Sequence, residues 1–197
     1  MKPVEPFIAP QSVRIIAGTL LPGLAALGPY FALAYSRFSW LGALAKSYPW
    51  AIVASILTIS YLGGLLLSSL SCQIEEWIVK AAFKDEKEKE ELKRAWHNYL
   101  ASNPTEHGVL HKYVGQLVTW LKFYTSMIPA AFAFIFGLHI HNFFLASLRC
   151  GEITLMTVLV GVLILWLIYR SFRTVAELHD VRTVIAIPVP KAPGTEK

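Results

Sequence analysis

The chain has 197 residues, 55% of them hydrophobic and 16% charged, and a mean hydropathy of +0.49. Soluble domains carry roughly 25% charged residues, so the composition excludes an ordinary soluble fold. The net charge of +5 calls for no nucleic acid, because attraction to anionic lipid headgroups accounts for it.

The apolar residues fall in four blocks, Ile15 to Tyr35, Trp50 to Ser71, Phe123 to Leu148 and Ile153 to Tyr169. Each matches the ~17–25 residues that cross about 30 Å of hydrocarbon as a helix. The sequence therefore predicts an all-α membrane protein. Its four transmembrane helices are expected over 13–35, 50–71, 123–147 and 153–170, with a helical hairpin over 72–122 between the second and third. Residues 1–12 form an N-terminal tail, 36–49 and 148–152 are loops on the far side, and 171–197 form a C-terminal tail.

The opening "MKPVEPFIAPQSVR" carries three prolines and an acid, and no small-residue cleavage pattern clearly follows the first block. That block is expected to persist as a mature span rather than leave as a signal peptide. It contains "LLPGLAALGPY". Interior prolines remove backbone hydrogen bonds and kink a helix, so this span reads as a kinked helix packed in the bundle.

Four spans put both termini and the 72–122 segment on one side of the membrane. That side holds 15 of the 18 Lys and Arg; Arg37, Lys46 and Arg149 are the exceptions. Excess Lys and Arg marks the cytoplasmic face, so both termini are expected in the cytoplasm, the protein being placed in a bacterial inner membrane. Cys72 and Cys150 then lie on opposite sides and cannot pair within one chain.

In the second span Ser60, Gly64 and Ser68 recur every four residues. Such a stripe suits close helix approach, and packing within the chain is the favoured use. A pore between copies, lined by Ser55, Thr58, Ser60, Tyr61 and Ser68, is the alternative.

The middle segment begins with "CQIEEWIVKAAF", whose apolar residues at 74, 77, 78, 81 and 82 continue the second span past the membrane. A mixed-charge run, "KDEKEKEELKR", follows. Asp85 and Glu88 resemble a capping box and open a new helix. The pairs Glu86 with Glu90 and Lys89 with Lys93 keep its charge pattern from being purely attractive, and the run reads as a solvated face. Apolar residues return at Leu92, Trp96, Tyr99 and Leu100 before Pro104 ends the helix. Positions 110, 113, 114, 117, 120 and 121 then form one stripe running into the third span. The side chains best suited to a partner are Trp77, Glu88, Lys89, Lys93, Trp96 and Tyr99.

The third span holds "FIFGLHIHNFF". His139 lies 15 residues beyond Tyr124, about 22 Å along a helix, which puts it near the far headgroups. Two histidines two residues apart point about 200° from one another and do not converge on one metal. The motif therefore reads as the end of a span. After Arg173 the tail "TVAELHDVRTVIA" reads as a short helix at the membrane surface, and "IPVPKAPGTEK" as disordered.

His107 and His111 are four apart, the spacing that puts two imidazoles on one helix face as zinc sites require. No H-E-x-x-H pattern accompanies them, and they carry only a third reading, a metal-dependent membrane enzyme. "IEEW" pairs Glu75 with Glu76 as intramembrane prenyl-protein proteases do, but lacks their arginine three residues on. No nucleophile and base, phosphate loop or haem motif is evident, and no cofactor is expected. The cores of all four spans lack charged residues, which speaks against ion-coupled transport.

"AWHNYL", "KYVGQLVTWLKFYTSMIPAAFAFIFG" and "YRSFRTVAELHDVR" together resemble a group of bacterial four-helix membrane proteins of uncharacterised function. The resemblance covers about residues 92 to 183. It rests on Trp96, Tyr99, Leu100, Tyr113, Leu121, Lys122 and Phe123, then Tyr169, Arg170 and Arg173. Similar proteins accompany some antiviral systems as membrane effectors or accessories, and the group carries no catalytic residues to transfer. The leading expectation is a non-enzymatic membrane module. Its partners are the lipid bilayer and, through the hairpin, a cytoplasmic protein or a second copy. A homo-oligomeric channel is the alternative.

Overall fold

The computed structural model describes residues 15–83, 87, 90, 91, 94, 97, 108–146 and 148–186. Among them, four helices are long and apolar enough to cross a membrane. We label the helices α1 (Ile16–Arg37), α2 (Ser39–Ser47), α3 (Pro49–Ala82), α4 (Gly108–Leu145) and α5 (Cys150–Ala186).

Helix α1 stays continuous through both of its prolines. It opens with a π-helical turn over Ile16–Leu20, closed by the Leu21 N–H donating to the Ile16 carbonyl. The wide turn sits immediately before Pro22, which has no N–H to offer the Gly18 carbonyl. Phe38, in extended conformation, breaks the chain between α1 and α2.

The loop expected over 36–49 thus contains a helix, the nine-residue α2. At about 14 Å it is too short to cross hydrocarbon. It exposes Trp40 and Leu44 and carries Lys46 in its last turn, a composition suited to the headgroup layer. Tyr48 precedes a proline and leaves the helical region, at φ −136° and ψ 63°, and Pro49 then starts α3 at a position that needs no donated N–H.

The bilayer can be placed by length. Exposed Trp40, Tyr48 and Trp50 mark one boundary, as aromatic belts do. About 30 Å of hydrocarbon is about twenty helical residues, so the other boundary falls near Leu70 in α3, Thr125 in α4 and Arg170 in α5. Two contacts tie these positions together independently. Ser71 hydrogen-bonds Thr125 at 2.7 Å, and Arg170 Nη2 donates to the Tyr124 hydroxyl at 3.4 Å. This second boundary is the basic end, where α1 starts and α5 finishes.

Helix α1, with 22 residues, spans the hydrocarbon and little more. The other three overrun it by about 18 to 25 Å at the basic end. The tail beyond Arg173, expected as a separate surface helix, is instead the unbroken end of α5. Nothing in "TVAELHDV" breaks a helix, and Thr174, Val175 and Leu178 are buried along one of its faces.

Helix α4 is the axis of the bundle, packing on α1, α3 and α5. Two apolar clusters succeed one another along it. Tyr124, Ile128 and Ala131 of α4 meet Ile164 and Leu167 of α5 inside the membrane. Beyond the boundary, Ile78 and Phe83 of α3, Val114, Leu117 and Leu121 of α4, and Val175 and Leu178 of α5 form a second core.

Candidate functional site

The extramembrane cluster is what a three-helix extension needs to stand in water. Its face of α4 repeats at 114, 117 and 121, that of α3 contributes Ile78, and α5 adds Val175 and Leu178, about three turns beyond its membrane core. Phe83, where α3 ends, packs at a tilt against His179 of α5, with ring centroids 5.0 Å apart. Polar groups take the outside. Lys80 pairs with Glu76 at 3.5 Å and Arg173 with Glu177 at 3.0 Å, both across one helical turn.

Trp77, a candidate partner contact, lies at the membrane-side edge of this extension. It is 58% exposed and sits edge-on to Phe172 of α5 with centroids 6.0 Å apart. It also borders a shallow groove of about 300 Å³, lined by Leu70, Gln73 and Ile74 of α3 and Ile128, Pro129 and Phe132 of α4. The remaining partner candidates, Glu88, Lys89, Lys93, Trp96 and Tyr99, lie outside the described residues, as does the segment 98–107 where the hairpin was expected to turn. Residues 87, 90, 91, 94 and 97 are helical, and Arg94 pairs with Glu90 at 3.7 Å.

The small-residue stripe divides. Ser60 and Gly64 are buried against α1, and a Cβ added to Gly64 would collide with the Thr19 carbonyl. The reciprocal contact is Gly23 of α1, where a Cβ would overlap the Ser60 carbonyl. Thr19 and Gly23 thus mirror Ser60 and Gly64 at four-residue spacing, and two backbones touch. Ser68 takes no part; its hydroxyl donates to its own helix at the Leu65 carbonyl. Ser55 and Thr58 likewise donate to Ala51 and Ala54. The Ser60 hydroxyl is buried without a hydrogen-bond partner.

His107 lies outside the described residues, and so does the side chain of His111, whose backbone is in the first turn of α4. Among the described residues no three His, Cys, Asp or Glu side chains gather where a metal could bind. His139, exposed, approaches Thr157 of α5 at 3.3 Å near the end of the bundle opposite the basic one. The neighbouring Asn142 has a defined task. Its backbone carbonyl accepts from Ala146 N–H at 2.7 Å, and its side-chain oxygen accepts from Leu148 N–H at 2.8 Å. Ala146 sits at φ 44°, the left-handed conformation that ends many helices. Across the turn, Glu152 accepts from Arg149 N–H at 3.0 Å, which caps the start of α5.

In the sequence Arg170 entered only among the residues that carry the resemblance. The structure gives it an environment. Its guanidinium carbon lies 5.6 Å from the centre of the Tyr124 ring. Tyr124 is stacked on Trp120 at 5.7 Å and met edge-on by Trp166 at 5.9 Å. The available signal was the matched spacing of Trp120 to Tyr124 and Trp166 to Arg170, four residues in each helix.

No family model, curated protein or solved structure matches the chain. The likeness to bacterial four-helix membrane proteins therefore rests on the sequence pattern alone.

Proposed function

We propose that the chain is a non-enzymatic docking module of a bacterial inner membrane, with both termini and the 72–122 segment in the cytoplasm. The observation that carries this reading is the second core. Three helices continue past the bilayer boundary and bury Ile78, Leu117, Leu121, Val175 and Leu178 there, although lipid no longer requires it of them. A chain that served only to fill a membrane would gain nothing from an ordered extension. The docking surface for a soluble protein would combine Trp77, at the base of this extension, with the charged run 84–94 of the sequence. The defence-accessory role belongs to the same proposal by resemblance. A pore between copies is less well supported, because α1 covers Ser60 and Gly64.

The test is the mass and composition of the complex extracted in mild detergent from native membranes. A stoichiometric soluble protein is expected, and reversing Glu90 and Arg94 to Lys and Glu should release it while leaving membrane insertion intact. Recovery of the chain only as copies of itself, or a partner indifferent to the reversal, would overturn the reading.

A further inference from the structure

Arg170 occupies an unusual position for a lone cation. It lies at the level where the hydrocarbon gives way to headgroups, twenty residues from the start of α5. Its guanidinium has a single polar contact, the long 3.4 Å bond to the Tyr124 hydroxyl, and its Nε is buried without a hydrogen-bond partner. No carboxylate among the described residues lies within ion-pair distance of it, whereas Arg173, one turn further out, is held by Glu177.

The surroundings are fitted to one kind of ligand. Tyr124 is nearly buried, at 5% exposure, and fixes the inner edge of the guanidinium. Trp120 and Trp166 flank the Tyr124 ring on α4 and α5 and are each about half exposed toward the bilayer. Exposed Tyr169 continues the aromatic rim. Amphipathic rings prefer the headgroup region, and a guanidinium presents a planar fork that matches phosphate oxygens. Glu177 acts on Arg170 only through space, its close pairing being with Arg173, and a cation with no carboxylate in contact favours a phosphodiester whose headgroup brings no ammonium of its own.

We propose that Arg170, backed by Tyr124, whose ring is itself held between Trp120 and Trp166, is a binding site for the phosphate of an anionic glycerophospholipid. The site lies on the lipid-facing seam of α4 and α5, and its use does not depend on what docks to the extension.

The test uses the full chain reconstituted in phosphatidylcholine vesicles with a trace of spin-labelled phosphatidylglycerol or spin-labelled phosphatidylcholine. The immobilised fraction of each label gives their relative association. The wild-type chain is expected to prefer phosphatidylglycerol about fivefold, the scale of one interfacial cation. Arg170→Gln should bring the ratio close to one, Arg170→Lys should retain only part of it, and Arg173→Gln should leave it unchanged. Helical circular dichroism verifies that each variant is folded. A full preference in Arg170→Gln would overturn the site, and so would an equal loss in Arg173→Gln, since general surface charge then suffices. Inorganic phosphate at millimolar concentration should leave the immobilised fraction unchanged. Displacement by it would assign the site to free phosphate and overturn the lipid.

Discussion

Ser71 donates its hydroxyl proton to Thr125, across 2.7 Å of bundle interior at the bilayer boundary. The direction follows from bookkeeping of protons. The single proton of Thr125 is already directed at the Leu121 carbonyl, 2.9 Å away on its own helix, so Thr125 can only accept from Ser71. The bond joins the two helices where the membrane part of the bundle becomes the extramembrane part.

Removing either hydroxyl should therefore weaken the anchor modestly. Hydrogen bonds between membrane helices average ~0.6 kcal/mol and reach about 1.7, so Ser71→Ala and Thr125→Val are each expected to cost roughly 1 kcal/mol. The double variant should cost less than the sum of the two. Unfolding in mixed micelles titrated with dodecyl sulfate measures all three, and strict additivity would show that the hydroxyls do not interact.

The crossing of α1 and α3 should tolerate no added carbon. Gly64→Ala drives a methyl group into the Thr19 backbone, which has no rotamer to escape to; overpacking of this kind costs about 1–3 kcal/mol or more. Gly28→Ala is its control, because a Cβ there meets nothing within 4 Å. The first variant should lose folded protein at lower dodecyl sulfate than wild type, and the second should match wild type or exceed it.

The extramembrane core should melt without the membrane core. Leu117→Ala and Leu178→Ala each empty a buried site, at a cost of about 2–5 kcal/mol. Hydrogen exchange should rise over residues 74–83, 112–121 and 172–181 and stay slow over 128–138. Leu165→Ala, at a position 68% exposed to lipid, should change neither.

The two thiols report the topology. Cys72 and Cys150 are both exposed and belong to opposite ends of the bundle, so a membrane-impermeant maleimide should modify each from one side only, and from different sides. In sealed inside-out vesicles Cys72 is the one expected to react, as the proposed orientation requires. Modification of both from one side would contradict the four crossings.

The four spans were legible because hydrocarbon makes a blunt demand, about twenty apolar residues, and the blocks from Ile15, Trp50, Phe123 and Ile153 meet it. Which face of a helix points inward was less legible. Positions 113, 114, 117, 120 and 121 share one apolar stripe, yet Val114, Leu117 and Leu121 are buried while Tyr113 and Trp120 turn outward. Beside a bilayer, lipid and protein interior accept the same side chains, so hydropathy cannot separate them. Helix α2 was missed because nine residues from Ser39 to Ser47 resemble a loop when a span is being sought. The contact of Gly64 with Thr19 was half visible, since the stripe of Ser60 and Gly64 implied a close neighbour without naming it. The corner of Arg170 and Tyr124 joins residues 46 apart, and only packing brings them together.

The single missing rung of α4 has a mechanical consequence. Pro129 cannot donate to the Thr125 carbonyl, so α4 alone has a weak point where it leaves the bilayer, while α3 and α5 pass that level without an interior proline. Bending there would require breaking intact hydrogen bonds in both flanking helices. The extension is consequently held at a set height and attitude, with the end of α3 about 18 Å above the boundary. Under the proposed docking function, the extension would serve as a gauge, setting a partner at a fixed distance from the lipid surface.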